Sequence, residues 1–62
     1  MEEGDYVFYI PYEGCPVDKL EKGRVKSVQD HEWFFVVYHC NDDWENYKSY
    51  TAARTNIKQL TK

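Results

Sequence analysis

The apolar residues come in short bursts along the chain and never fall into a sustained helical stripe. "YVFYIP", residues 6–11, is dense in β-branched and aromatic side chains and stops at Pro11, so it reads as a first strand ending on a residue that cannot donate to a ladder. The following "YEGCPVDKLEKG" mixes charges with Gly14, Pro16 and Gly23 and has no period, which predicts a long loop. "GRVKSVQD" sets Val25 and Val28 three positions apart where an unbroken strand wants two, so this second strand is expected to bulge or bend sharply. "DHE" then turns tightly into "WFFVVYH", residues 33–39, the strongest strand signal in the chain, and Asn41, Asp42 and Asp43 break it. "YKSYTAA" is expected to form a fourth strand. In "RTNIKQLTK", Thr55 is expected to cap a single helical turn that returns Leu60 to the core. A short helix over residues 50–60 competes with that reading, because Ala52, Ala53, Lys58 and Gln59 all tolerate helix.

Side chains alternate along a strand, which puts Trp33, Phe35, Val37 and His39 on one face and Phe34, Val36 and Tyr38 on the other. The first strand likewise opposes Tyr6, Phe8 and Ile10 to Val7 and Tyr9. Both faces are apolar, yet a single-layer barrel has only one inside. Either the chain's own long loop or a terminus covers the outer set, or a partner does, a second copy included. Short strands at turn-punctuated spacing predict an all-β barrel or sandwich, and a barrel leaves few open edges. The expected core is Val7, Val25, Val36 and Leu60, within one domain over residues 1–62 that has no repeat, low-complexity tract or linker.

Length sharpens this picture. A chain of 62 residues buries only about 60% of the surface its unfolded form exposes, so each large side chain counts. Six Tyr, three Phe and two Trp supply much of what is available, at roughly 150–250 Å² each. A net charge of −3 and a pI of about 5.2 count against a polyanion as the main partner. No basic start leads into an apolar run, and no stretch nears the ~20 apolar residues of a membrane span, so a cytoplasmic protein with no membrane association is expected. Cys15 and Cys40 allow one disulfide at most, fewer than small secreted scaffolds carry, and are expected to be reduced.

The candidate chemistry is concentrated in "YHCNDDWENYKSY", residues 38–50. Tyr12, Trp44, Tyr47 and Tyr50 are candidates for an aromatic pocket rimmed by Asp42, Asp43 and Glu45. A cation over such a ring face gains roughly 0.5–2 kcal/mol, which suits a methylated lysine or an arginine. The competing reading folds Trp44 back onto the barrel as a lid and leaves the acids to solvate the loop. Lys19, Lys22, Arg24 and Lys26 form a second candidate, a basic stripe on which single-stranded nucleic acid could stack with nearby aromatics, against the plainer reading of a solvated face. Asp42, Asp43 and Glu45 lack the spaced ligands and the turn glycine of a calcium loop. Cys15, His31, His39 and Cys40 lack the paired spacings of a zinc site. His39 and Cys40, adjacent in extended chain, point to opposite faces and so cannot act as a nucleophile and its base. No metal, cofactor or enzymatic activity is expected.

Through "GDYVFYIP" as opening strand, "KGRVKSV" as second, "FFVVYH" as third and "YTAARTNIKQL" as last strand, helical turn and closing hydrophobe, the chain resembles the Src-homology-3-like barrels. The resemblance is to their Tudor-like and KOW-like branch, small bacterial or phage proteins among them. It implies about five antiparallel strands, with binding surfaces in the long first loop, here residues 12–22, and in the loop between third and fourth strands, here 40–46. The function it implies is that of a non-enzymatic module recognising a lysine- or arginine-bearing peptide or protein partner, or self-associating. A KOW-like relation implies contact with RNA or single-stranded DNA as the alternative.

Overall fold

The computed structural model describes residues 1–62 as five antiparallel strands: β1 (Tyr6–Tyr9), β2 (Glu21–Val28), β3 (Trp33–Val37), β4 (Ala53–Asn56) and β5 (Leu60–Thr61). They form one sheet in the order β4-β3-β2-β1-β5, curled into a half-barrel. Three short 3-10 segments complete it: Val17–Lys19 in the first loop, Trp44–Ser49 between β3 and β4, and Ile57–Gln59 between β4 and β5. The all-β class, the five strands and the C-terminal helical turn agree with the sequence reading.

The irregularity expected in the second strand is present. Val25 pairs with Val36, but Ser27 pairs with Phe35, so the register slips at Lys26. The extra residue lets both Val25 and Val28 lie across from inward-facing residues of β3 despite their odd spacing. The "DHE" turn is held by Asp30, whose Oδ1 accepts from the backbone N–H of Glu32 (2.8 Å) and Trp33 (2.9 Å). These bonds hold the Asp30 carboxyl below its ordinary pKa.

Two details of the C-terminal third differ from expectation. The strand expected over residues 47–53 is absent except at its last residue: Tyr47–Ser49 lie in the 3-10 segment, and β4 starts only at Ala53. A helical turn swings Tyr47 down to pack with Val37 and Cys40, which extended chain at the same spacing would send to alternate sides. Thr55 does not cap the closing turn but sits buried within β4, its hydroxyl 2.8 Å from that of Tyr38. The cap is Asn56, whose side chain accepts from Lys58 N at 2.9 Å. The helix competing for residues 50–60 is absent, as β4 pairs with β3 along its whole length.

The concave core is Val7, Val25, Phe34, Val36 and Leu60, with Met1, Tyr9 and Tyr38 packed at its margin. All four expected core residues are buried. Gly23 lies beneath this layer, where an added Cβ would stand 2.6 Å from Val36 Cγ1 and 2.9 Å from the Tyr38 ring. The absence of a side chain is what lets Tyr38 lie across β2.

Part of the convex face is covered by the chain itself, though not by the first loop, where Tyr12 and Val17 are exposed. Asn41 (φ 51°) and Asp42 (φ 62°) turn left-handed after β3, a conformation their residue types tolerate. They send a strap, Trp44–Ser49, back over the outer face. Beneath it lies a second buried cluster of Val37, Cys40 and Tyr47, flanked by Trp44, Tyr50 and Ala52. The cover stops short of β1, leaving Tyr6 and Phe8 43% and 37% exposed.

Truncating Val36 to Ala is expected to cost about 1–3 kcal/mol through lost burial and the cavity left behind. Gly23→Ala is expected to cost about 1–3 kcal/mol through overpacking. Because Val36 supplies one of the clashing atoms, the double variant should cost less than the sum, and urea unfolding of all four proteins measures that coupling.

Asp30 also sets a pH dependence. A carboxyl held lower in the folded state contributes stability above its ordinary pKa of 3.8 and loses it as pH falls below. Asp30→Asn should flatten the stability profile below about pH 4, as followed by urea midpoints.

Candidate functional site

Alternation along β1 and β2 places Tyr6, Phe8, Lys22 and Arg24 together on the convex face, with Tyr6 across from Arg24 and Phe8 across from Lys22. The strap adds Trp44 and Tyr47. The Arg24 guanidinium carbon stands 4.7 Å from the centre of the Tyr6 ring and 4.2 Å from that of Tyr47. Its Nε donates to Gly4 O (2.8 Å) and its Nη1 to Trp44 O (2.7 Å). Lys22 Nζ lies 4.9 Å from the Tyr6 ring and 5.1 Å from Trp44. Lys26, at the bulge, donates to Tyr50 O at 2.8 Å. The rings expected to form a cation site and the cations expected to form a basic stripe therefore face each other across one packed layer.

No carboxylate takes part in that layer. The ion pairs of the molecule are Glu21–His39 (3.2 Å), Glu3–Lys48 (2.9 Å) and Asp5–Lys62 (3.2 Å). Lys22, Arg24 and Lys26 meet only ring faces and backbone carbonyls. Arg54, farther along the same face, likewise stacks on Trp33 at 3.9 Å and bonds Gln29.

Trp44 is half-buried and meets Tyr6 edge to face, with ring centres 6.0 Å apart. Asp43 fastens the two ends of the strap: its Oδ1 accepts from Asn46 Nδ2 (2.9 Å) and its Oδ2 from the Tyr50 hydroxyl (3.1 Å). That bond to the carboxylate pushes the Tyr50 phenol pKa up. Asp42 and Glu45 are exposed. Two predicted residues lie apart from the rest: Tyr12 is exposed on the first loop beside a hollow reaching Lys58 and Gln59, and Lys19 is exposed in the first 3-10 turn. His39 is exposed and Cys40 buried, on opposite sides of the chain.

A second surface lies on the concave side. Two adjoining hollows of about 350 and 330 Å³ share Tyr38, His39 and Ala53. The first extends over Tyr50 and Ala52, the second over Tyr9, Glu21 and Thr55. Tyr9 and Tyr38 meet edge to face at 5.7 Å, and partial burial pushes the Tyr38 phenol pKa up. β4 ends the sheet, so the groove runs beside a strand with one unpaired edge. Of the residues proposed from sequence as ligand-binding, only Tyr50 lines it. Tyr9, Glu21 and Tyr38 were not singled out as site residues, although the alternation that set Phe34, Val36 and Tyr38 on one face was the signal available.

No family model, curated protein or solved structure matches the chain. No helix is long and apolar enough to cross a membrane. What fold and surfaces define is a small all-β half-barrel with a strapped convex face and a tyrosine-lined concave groove.

Trp44→Ala is expected to destabilise by about 2–3 kcal/mol, short of the ~3–5 kcal/mol for a fully buried large aromatic, because the indole is only half-buried. Thermal melts give the value, and a change within a few tenths of a kcal/mol contradicts the packing role.

Proposed function

We propose that this chain is a non-enzymatic binding module of the Src-homology-3-like type, taking a peptide or protein partner that presents a lysine or arginine side chain. The observation that carries the reading is the concave groove, whose two adjoining hollows share Tyr38: Tyr50 adds ring surface to the first, and Tyr9 and the Glu21 carboxylate, 3.2 Å from His39, line the second together with Arg54. The rings of Trp44 and Tyr47 already face Lys22 and Arg24, so an incoming cation finds its free aromatic surface on the other side of Tyr50. Asp42 and Glu45, exposed on the neighbouring loop, add attraction for a basic partner. A ring contact contributes about 0.5–1 kcal/mol and a partly exposed carboxylate about 0.2–1 kcal/mol, so single side chains bind weakly and a longer segment supplies the rest.

A second reading rests on the convex face. Lys22 and Lys26 have no carboxylate partner there and the neighbouring Tyr6 and Phe8 are partly exposed, which is the pairing of charge and stacking surface that a single-stranded nucleic acid uses.

Amide chemical-shift titrations with a trimethyllysine peptide, an arginine peptide and an oligothymidylate distinguish the two. Shifts at Tyr9, Tyr38, Tyr50 and Ala53 with a peptide are the expected outcome. Glu21→Gln should then weaken binding about two- to fivefold, as loss of one exposed charge contact implies. Shifts at Tyr6, Lys22 and Lys26 with the oligonucleotide support the second reading, and silence from both ligand classes refutes both.

A further inference from the structure

Arg24 is enclosed by groups from three separate parts of the chain. Gly4 comes from the N-terminal turn, Tyr6 from β1, and Trp44 and Tyr47 from the strap. Two rings and two carbonyl oxygens surround one guanidinium, and every one of those groups is neutral. A neutral box of this kind discriminates by shape more than by charge. The planar fork donates through Nε and Nη1 in fixed directions while its face stacks on a ring, and a compact, strongly hydrated ammonium cannot do both.

We propose that this box is a guanidinium-binding site filled in cis, and that Arg24 is the clasp holding the strap on the sheet. The proposal is independent of the groove reading. Its consequence is that an arginine from outside enters only where Arg24 has left, and Arg24 leaves only as the strap lifts. The same motion uncovers Cys40, which is 1% exposed in the cluster with Val37 and Tyr47 under the strap. Occupancy of the box and protection of the Cys40 thiol are thus two readings of one closed state. Gly4 belongs to the same construction: at φ +91° it takes a conformation that favours glycine, and its carbonyl is the acceptor for Arg24 Nε.

The experiment uses the full chain carrying Cys15→Ser, so that the only thiol is Cys40, with and without Arg24→Ala. Ethylguanidinium replaces the atoms that Arg24→Ala removes, and ethylammonium supplies the same charge without the planar fork. Arg24→Ala should speed labelling of Cys40 by an aromatic disulfide reagent about tenfold, since local opening sets the exposure of a buried thiol. Millimolar ethylguanidinium should reverse most of that gain and raise the melting temperature. Ethylammonium should do neither, and the parent with Arg24 intact should respond to neither compound. Equal effects of the two cations on the variant overturn the proposal, as does an unchanged labelling rate or a parent that responds as strongly as the variant. Arg24→Lys keeps the charge and loses the fork, so it should also label fast, and slow labelling of that variant overturns the clasp. Should Arg24→Ala be unfolded alone, recovery of the folded amide spectrum in ethylguanidinium supports the site, and failure to recover overturns it.

Discussion

The Arg24 guanidinium, set against two tyrosine rings and two backbone carbonyls, is the contact on which the convex side of this sheet depends. Desolvating a charge is costly unless its hydrogen bonds are replaced, and a guanidinium, being weakly hydrated, is the cation for which that exchange is easiest. Carbonyls at Gly4 and Trp44 satisfy two of its donors, and the rings shield its faces without asking for a further charge.

The need for such a contact comes from geometry. A single sheet has two sides, and β3 is apolar on both, with Phe34 and Val36 inward and Phe35 and Val37 outward. A chain this short cannot add a second layer of regular structure. It folds a six-residue segment, two 3-10 turns kinked at Asn46, over part of the outer side and seals the margin with cations whose alkyl stems add apolar cover. Glu21 is the one acidic residue in any strand, the remaining acids lying in loops, turns and the N-terminal segment. The protein is acidic overall, yet the strand positions of its convex face are cationic.

Much of this was legible in the sequence, and the reasons for the rest are specific. The three-residue spacing of Val25 and Val28 foretold the slip at Lys26, because alternation leaves no other way to keep both on one side. Val7, Val25, Val36 and Leu60 could be placed in the core from hydrophobicity and strand position alone. Residues 47–52 were misassigned because their aromatics suit a strand, and only the pocket over Val37 and Cys40 makes a turn the better host for Tyr47. Within the candidate site, the sequence marked rings and cations as two alternatives for outside ligands. That they meet each other follows from the pairing of Tyr6 with Arg24, a long-range register that no local pattern encodes.

The strand order also carries a kinetic meaning. β1 to β4 form a meander in which each strand pairs with its successor, so those contacts close over short stretches of chain. β5 instead returns to β1, matching Phe8 with Thr61 and Tyr9 with Leu60 across almost the whole sequence. Loop-closure entropy makes such a junction the costliest of the sheet to form. Leu60, the core residue delivered by that strand, therefore reaches the interior only through the longest-range pairing in the sheet.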